Sequence, residues 1–361
     1  MSDTTELRST RLERMKESSG GLRSPLREEL AEPTREFSEA GRQILKFHGV
    51  YQQDDRDTRR DRKKAGKGPD WSMMVRSKIP GGVLTADQYL AHDRLSDQYG
   101  DDTLRITTRQ GLQLYGVLKG ELRETIRALN DALVTTLGAC GDVERNVLSC
   151  PAPVSGGARD DALAIVRELS RRTLPTGGAY HEIWLNGERV AGGEPAPAAE
   201  PLYGPRYLPR KFKTAVAFED DNCTDVLSND LGFIAQVQAG NLIGFEVVVG
   251  GGLGMTHNKP ETFPRLAEPL TWIRPEEVVA VAEAVIAVQR DHGDRGNRRQ
   301  ARMKYLIHRR GLDWFRSRVE EELGRSLARP RGVTVRDVAD GAGTGRPTAG
   351  GSSASTSTTV G

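Results

Sequence analysis

Four basic residues stand out by their sequence context. Lys211 and Lys213 flank Phe212 in the segment YLPRKFKTAV, while Arg76 and Arg145 lie in MMVRSKIPGG and GDVERNVL. Side chains alternate along a strand, so the two lysines share one face and Phe212 points the other way, into the core. Because neighbouring ammonium groups repel each other, a shared inward face favours an anion between them. The chemistry predicted from these residues is anion binding.

A second basic pair lies in the segment LRITTRQG. In a strand, the side chains of Arg105 and Arg109 would point to the same face, and Thr107 lies between them. The two arginines flank a stretch rich in hydrogen-bond donors. The pattern fits a second anion-binding face, and it also fits an exposed basic strand face. The spacing alone leaves both interpretations open.

A glycine-rich loop, VVVGGGLGM, occupies residues 247–255 after a predicted strand. A dinucleotide-binding turn needs G-x-G-x-x-G followed at once by a helix, and the next residues, MTHNKPETFP, do not begin one. We therefore favour a tight loop whose backbone, at Gly251 and Gly252, approaches a bulky cofactor. A nucleotide site is the alternative.

Metal-ligand spacing is not visible in the sequence. Cys140, Cys150 and Cys223 are widely separated and form no C-x-x-C pair, and the six histidines show no H-x-x-x-H or H-E-x-x-H spacing. The cysteines fit reduced, mostly buried thiols of a cytosolic protein that serve packing. We predict no metal ligands among these residues.

The composition is that of a soluble chain with two domains of ordinary size. Of the 361 residues 37% are apolar, the formal net charge is +2, and no apolar run approaches the length that crosses a bilayer. No N-terminal segment has the order of a secretory signal, so we predict a cytoplasmic protein. With so small a net charge, any preference for anions must come from local placement.

The positions of glycine, proline and apolar residues predict the elements around these side chains. Residues 1–45 are charged and read as a mobile arm, and the basic stretch 55–68 reads as a solvated loop, without the aromatic interleaving of a nucleic-acid site. From Trp71 a strand leads into a Pro-Gly-Gly turn, Thr85 caps a helix, two short strands surround Gly111, and an amphipathic helix follows. This order predicts a ferredoxin-like half-domain.

A second unit is predicted from about Asp142. Its strands are expected in AYHEIWLNGE, FKTAVAFE, GFIAQVQ and LIGFEVVVGGG, and its helices at about 275–290, 297–308 and 312–323, in a mixed α/β arrangement. Residues 187–205 are expected to form a loop.

Eight segments, in order from about Leu45 to about Arg331, resemble the hemoprotein of assimilatory sulfite reductase, in the siroheme/[4Fe–4S] nitrite and sulfite reductase family. They are KFHGVYQQDDRD, MMVRSKIPGGVLT, LRITTRQGLQLYGVLKG, GDVERNVL, YLPRKFKTAV, VVVGGGLG, ETFPRLAEPL and AEAVIAVQRDHGDRGNRRQARMKYLIHRRGL. The resemblance implies an α+β fold, with a ferredoxin-like half-domain (46–138) and a mixed α/β siroheme-binding domain (139–332), after the arm (1–45) and before the start of a second half-domain (333–361).

The resemblance also implies roles for individual residues. Arg76, Arg145, Lys211 and Lys213 match the basic residues around the substrate anion, where fixed cations would offset the charge of sulfite and polarise its S–O bonds. The positions matched to siroheme binding are Arg105, Thr107, Arg109, Gln113, Arg210, Gly251 and Gly252. Related nitrite reductases usually carry Asn where Lys213 stands, which favours sulfite. Tyr115 and Glu144 depart from the family's common His and Asn, and an acid beside Arg145 would weaken the anion field unless it points away or pairs with a base.

The family's cluster ligands, four cysteines spaced C-x₅-C and C-x₃-C, have no counterpart in the sequence. The chain ends in GAGTGRPTAGGSSASTSTTVG, which is unlike the family. We predict a shifted reading frame near Gly341, since reading one nucleotide earlier can give D-G-R-W-F-L-R-L-H-V-D-N-G-R, similar to the family's next strand. A natural disordered tail is the alternative.

The resemblance thus implies the six-electron reduction of sulfite to sulfide at a siroheme coupled to a [4Fe–4S] cluster. The electron donor would be ferredoxin or a flavoprotein reductase, with no nucleic-acid or membrane partner. The present chain is expected to be truncated and inactive by itself. Two alternatives stay open: a ferredoxin-dependent nitrite reductase, and a non-catalytic siroheme- or anion-binding fragment or split subunit.

Overall fold

The computed structural model describes residues 10–55, 57–152, 157–176, 183–185, 188–191 and 200–336. The helices are α1 (Arg11–Glu17), α2 (Leu26–Ala31), α3 (Glu39–Leu45), α4 (Arg59–Lys64), α5 (Ala86–Tyr99), α6 (Leu122–Asp131), α7 (Gly157–Arg172), α8 (Val278–His292), α9 (Met303–Arg310) and α10 (Leu312–Leu323). The strands are β1 (Val50–Asp54), β2 (Trp71–Arg76), β3 (Leu104–Ile106), β4 (Leu112–Val117), β5 (Ile183–Leu185), β6 (Glu188–Ala191), β7 (Thr214–Phe218), β8 (Leu231–Gln238), β9 (Asn241–Val249) and β10 (Glu268–Ile273).

The first sheet has the strand order β1-β2-β4-β3 and is antiparallel throughout. The predicted order of strand, helix, strand, strand and helix is confirmed by β2, α5, β3, β4 and α6, and β1 adds an edge strand that was not predicted. The predicted cap of α5 is also confirmed, because the Thr85 side chain accepts a hydrogen bond from the Gln88 N–H at 3.2 Å. The Gln88 side chain in turn accepts a hydrogen bond from the Thr85 N–H at 3.1 Å. This sheet carries Arg76 at the end of β2.

The second sheet has the order β10-β9-β8-β7, in which only β7 and β8 are parallel. Three of its strands were predicted, whereas β10 and α7 were not. The helix expected at 297–308 begins only at Met303, because residues 298–300 form a 3-10 turn capped by Asn297. Within the predicted strand AYHEIWLNGE and the predicted loop 187–205, the structure describes residues 183–185, 188–191 and 200–205. Strand β5 lies in the predicted strand, whereas β6 is a strand where a loop was predicted, because it pairs with β5.

An extended segment, residues 143–148, joins the two sheets. It runs parallel to the start of β7, with the Arg145 N–H donating to the Phe212 carbonyl at 3.0 Å and the Leu148 N–H to the Thr214 carbonyl at 3.1 Å. Phe212 is 1% exposed and belongs to the main apolar cluster, as predicted. The basic residues on either side of Phe212 are therefore fixed relative to Arg145.

The N-terminal residues pack against the rest of the chain, and the predicted mobile arm is wrong for residues 10–45. Leu22 and Phe37 lie in the main apolar cluster, and the fully buried Lys16 pairs with Glu13 at 2.5 Å and Asp142 at 3.6 Å. High charge content misled the prediction because these charges neutralise one another in the interior.

The basic stretch is solvated as predicted but contains helix α4, none of whose residues is buried. The predicted domain boundaries at 45/46, 138/139 and 332/333 stay predictions, and residues 337–361 of the predicted tail lie outside the described part of the chain. None of the described helices is long and apolar enough to cross a membrane.

Candidate functional site

An open cavity of about 340 Å³ lies between the end of β2 and the start of β7. Its lining is dominated by cationic and hydrogen-bonding side chains. The lining residues are Arg76, Ser77, Thr107, Thr108, Arg109, Gly111, Ala139, Arg145, Asn146, Leu148, Lys211, Lys213, Thr224, Asp225, Ser228 and Asn229. All four residues predicted to surround an anion are among them.

The two lysines at the cavity lack protein partners for their ammonium groups. No side-chain hydrogen bond or ion pair joins Lys211 or Lys213 to another described residue. Burial, together with the positive charges of Arg145 and Arg302, lowers the pKa of Lys211 to about 8. Burial and the charges of Arg109, Arg302 and Lys211 lower the pKa of Lys213 to about 8. The cavity has an excess of positive charge that an anion would relieve.

The two arginines of the predicted anion site are anchored by backbone and side-chain acceptors. Arg145 donates from Nε to the Gly141 carbonyl at 2.9 Å and from Nη1 to the Ala139 carbonyl at 3.2 Å. Arg76 donates from Nη1 to the buried Cys140 Sγ at 3.0 Å. These contacts orient both guanidinium groups at the cavity wall without neutralising either charge.

Gln113 lies behind Arg76 and is nearly buried. With its amide oriented to satisfy both neighbours, its oxygen accepts from Arg76 Nε at 2.9 Å and its nitrogen donates to the Tyr115 hydroxyl at 3.1 Å. The Tyr115 ring in turn lies 4.0 Å from the guanidinium of Arg105, which is exposed. Gln113 and Arg105, both predicted to bind cofactor, are outside the cavity lining, and Tyr115 links them.

Arg109 lines the cavity, but protein acceptors hold its guanidinium. Nη1 donates to the Asn146 carbonyl at 2.9 Å and the Thr214 carbonyl at 3.1 Å, and Nη2 donates to the Asn229 side chain. Burial lowers its pKa to about 10. The Thr107 hydroxyl accepts from the Gly111 N–H at 3.0 Å and so closes the turn that carries Arg109.

Glu144 is buried behind the cavity, and its charge partly opposes the lowering of the Arg109 pKa. It is 1% exposed, lies outside the cavity lining and accepts a hydrogen bond from the Thr214 hydroxyl at 3.0 Å. Burial raises its pKa to about 7, against the opposing charges of Lys78 and Arg109. Burial likewise lowers the pKa of Lys78 to about 8, although the negative charge of Glu144 opposes this shift. Glu144 and Lys78 are therefore neighbours in the interior.

The two glycines predicted to approach a cofactor lie close to other parts of the protein, and their cofactor role stays a prediction. A Cβ at Gly251 would lie 2.1 Å from the Leu227 carbonyl oxygen, and one at Gly252 would lie 3.2 Å from Arg302. Gly251 thus supports residues 226–228, the turn that brings Ser228 to the cavity. Arg210, also predicted to bind cofactor, lies outside the cavity lining. Its positive charge is near enough to Lys211 to contribute to the lowered pKa of that lysine.

Two asparagines at the cavity were not predicted. Asn146 donates to the Ile79 carbonyl at 2.6 Å and the Arg109 carbonyl at 2.9 Å, while Asn229 accepts from Arg109. They link the two sheets at the cavity floor. The sequence offered one signal, since Asn146 directly follows Arg145 in GDVERNVL.

The cavity fits an anionic group, because its cations outnumber its carboxylates and the two lysines have no ion-pair partner in the described part of the chain. A polycarboxylate such as siroheme meets this charge requirement. A [4Fe–4S] cluster does not fit the cysteines of this chain, since it needs four cysteine thiolates and the sequence has three. Of these, Cys140 is buried beside Arg76, whereas Cys150 is half-buried and Cys223 exposed, which corrects the prediction that they are mostly buried.

Two family models match the chain. The nitrite/sulfite reductase ferredoxin-like half domain matches residues 67–132, and the nitrite and sulphite reductase 4Fe-4S domain matches residues 167–327. The first match covers β2, β3, β4, α5 and α6 but not β1, and the second covers β5 to β10 with α8, α9 and α10. Arg76 lies in the first match, Lys211 and Lys213 in the second, and Arg145 between them.

Curated relatives match over most of the chain. The sulfite reductase [NADPH] hemoprotein beta-component of Methylorubrum extorquens (strain PA1) is 47% identical over 324 residues, which are 89% of this chain and 53% of the relative. That of Myxococcus xanthus (strain DK1622) is 48% identical over 322 residues, 88% of this chain and 57% of the relative. The chain therefore spans about half the length of these relatives.

A solved structure shows the same fold. The NirA protein of Mycobacterium tuberculosis superposes with a TM-score of 0.66 at 26% identity, over 88% of this chain and 54% of that chain. The α+β arrangement predicted from the sequence is confirmed by this match and by the two family models.

Proposed function

The chain belongs to the nitrite and sulfite reductase family, and we propose that it supplies the substrate-anion site of an assimilatory sulfite reductase. The reaction is the six-electron reduction of sulfite to sulfide. The observation that carries this proposal is the cavity with Arg76, Arg145, Lys211 and Lys213 on its wall, where neither lysine ammonium has a hydrogen-bond or ion-pair partner among the residues that the structure describes. A doubly charged anion suits two lysines better than singly charged nitrite does.

In this proposal the four cations bind sulfite and hold its oxygens. The fixed guanidinium groups of Arg76 and Arg145 polarise the S–O bonds through hydrogen bonds. Lys211 and Lys213, with pKa values of about 8, are protonated at neutral pH and can release a proton from Nζ as an oxygen departs as water. The lysines would therefore act both in binding and in proton transfer.

Siroheme, when bound, supplies the iron at which sulfite is reduced. We propose that its carboxylates are held by the cations around the cavity, together with Arg105, which lies over the Tyr115 ring, and Arg210. Arg109 and Gln113 would position neighbouring residues, because protein contacts already occupy their polar atoms. Thr107, Gly251 and Gly252 would act through the turns that they stabilise.

We propose that other protein segments contribute the electron-transfer parts of the enzyme. We propose that the ligands of the [4Fe–4S] cluster come from beyond this chain's three cysteines. We also propose a flavoprotein reductase as the donor, because the relatives at 47–48% identity are hemoprotein components of NADPH-dependent enzymes. Ferredoxin is the alternative donor.

The decisive experiment combines the chain with a cysteine-bearing C-terminal half taken from one of these relatives. We expect sulfide formation from sulfite with a reduced viologen as donor, and a higher kcat/KM for sulfite than for nitrite. Lys213→Asn should shift the ratio toward nitrite, since it removes one of two ammonium groups. A preference for nitrite in the unmodified pair would favour the nitrite reductase alternative. Siroheme binding without turnover of either anion would favour a non-catalytic fragment.

A further inference from the structure

Cys150, Asp221 and Cys223 converge at the end of β7 that is remote from the lysines. Their two sulfur atoms and one carboxylate oxygen all lie within 4.8 Å of one another. Lys213 precedes β7 and Phe218 ends it, so this end of β7 is about 16 Å from Lys213 at a strand rise of roughly 3.3 Å per residue, and Lys211 is further away. The cluster is therefore separate from the anion-binding cations.

The backbone around the cluster is fixed. Cys150 follows the segment bonded to β7, in which the Val216 N–H donates to the Leu148 carbonyl at 2.8 Å. Asp221 closes a turn with Phe218 through two backbone hydrogen bonds of 3.0 and 3.1 Å. Cys150 and Asp221 thus lie beside hydrogen-bonded backbone, which reduces the entropy lost when they bind an ion.

Neighbouring groups orient the Asp221 carboxylate, and a cation balances its charge. It is 1% exposed, its Oδ1 accepts from the Cys223 N–H at 3.1 Å and its Oδ2 accepts from Arg159 Nη1 at 3.2 Å. Burial alone would raise the pKa of Asp221, but hydrogen bonds from Cys150, Cys223 and Arg159 lower it. Such partners of a ligating carboxylate fix its orientation in metal sites.

We propose that Cys150, Asp221 and Cys223 bind a zinc ion. Two thiolates and a carboxylate are ligands that suit Zn²⁺, and the exposure of Cys223 leaves a fourth position for water. Binding replaces the two thiol protons, which leave to solvent, by one divalent cation. The three anionic ligands then exceed the zinc charge by one, and Arg159 balances that remaining charge.

A dithiol switch is the competing use of the same cysteines. Hydrogen bonding with Cys223 lowers the pKa of Cys150 to about 7, whereas the hydrogen bond with Cys150 and burial raise the pKa of Cys223. A disulfide exchange would use only the two sulfurs, whereas the Asp221 carboxylate adds a third, anionic ligand atom that attracts a cation. The three-ligand geometry therefore favours metal binding over disulfide exchange.

Zinc at this site would also stabilise one wall of the anion cavity. Thr224 and Asp225 line that cavity and directly follow Cys223 in the chain. Fixing Cys223 to Cys150 restrains the loop that carries them. The ion is thus expected to be structural, and its binding does not depend on siroheme or on the proposed reductase activity.

The test uses the full 361-residue chain, freed of metal and kept reduced, with Co²⁺ as a spectroscopic probe. We expect one equivalent of Co²⁺ to give a thiolate-to-cobalt charge-transfer band and the visible bands of tetrahedral cobalt, both removed by Zn²⁺. Cys150→Ser and Cys223→Ser should each abolish the charge-transfer band, and Asp221→Asn should weaken Zn²⁺ binding by about tenfold or more. Cys140→Ser is the matched control and should leave the band unchanged.

Several results would overturn the proposal. One is a reduced wild-type chain that gives no charge-transfer band although thiol titration finds all three cysteines free. Another is a band that survives in the folded Cys150→Ser/Cys223→Ser double variant. A third is that Zn²⁺ leaves the oxidation of Cys150 and Cys223 to a disulfide by peroxide unslowed, whereas a bound ion would protect both thiols.

Discussion

Anion binding at the cavity should weaken as pH rises through about 8. Lys211 and Lys213 both have a pKa lowered to about 8, first by burial and then by neighbouring cations. Below that pH both ammonium groups are charged and attract an anion, and above it each loses its proton. Sulfate is the suitable probe, since it stays doubly charged across this range and is not reduced.

The size of the effect follows from the charge separation. A pair of unit charges at about 4 Å is worth about 1 kcal/mol in water and about 4 kcal/mol at an effective dielectric constant of about 20. For half-buried lysines we take about 1.4 kcal/mol each, which corresponds to about tenfold in affinity. Titration of both lysines should therefore weaken sulfate binding by about 100-fold in total.

Isothermal titration calorimetry from about pH 6.5 to about pH 9.5, at constant ionic strength, measures this dependence. Lys213→Met should lower the affinity by about tenfold at neutral pH and make the pH dependence shallower. Lys64→Met, at an exposed lysine of α4 outside the cavity, is the control and should change neither. An affinity that varies by less than about twofold over this range would refute the assignment of both lysines to the anion.

Three further predictions concern the framework that positions the cavity. Lys16→Met leaves buried carboxylates with fewer partners and should reduce the free energy of unfolding by about 3–5 kcal/mol in urea titrations. Burial raises the pKa of Asp142, but the charges of Lys16 and other neighbours lower it below 3.8, so the ion pair stabilises the fold above that pH and is lost on acidification. Acid unfolding of the Lys16→Met variant should therefore begin at a higher pH than that of the wild type. An unchanged acid transition would contradict this role of Lys16. Gly251→Ala places a Cβ 2.1 Å from a backbone carbonyl and should cost about 1–3 kcal/mol, whereas Gly254→Ala, with open space around its Cβ, should stay within about 0.5 kcal/mol; equal effects would refute the packing role. Thr85→Ala removes the cap of α5 and should lower stability by about 1 kcal/mol in thermal unfolding, while Thr85→Ser should retain most of it.

The sequence was most informative where local patterns determine structure. Thr85 and the Pro-Gly-Gly turn predicted the limits of α5 and β2, because caps and turns act through neighbouring residues. Alternation placed Phe212 in the core and the two lysines away from it. The meeting of Arg76 and Arg145 with those lysines came from family resemblance, since no local pattern brings together residues from two sheets.

Long-range pairing explains what the sequence did not reveal. The charges of residues 10–45 suggested solvent exposure, yet Lys16 is fully buried because Glu13 and Asp142 neutralise it. Cys150 and Cys223 share no spacing motif and meet only because residues 143–148 run beside β7. Gly251 is predicted to approach a cofactor, and its lack of a side chain also permits the close contact with residues 227–229.

The most direct test of the account measures sulfite binding to the chain loaded with siroheme. Absorption spectra should show siroheme bound to the wild-type chain and a saturable change when sulfite is added. The Lys211→Met/Lys213→Met double variant should retain siroheme but require about 100-fold more sulfite for the same change. An equal sulfite affinity in the double variant and the wild type would contradict the central claim that these lysines bind the substrate anion.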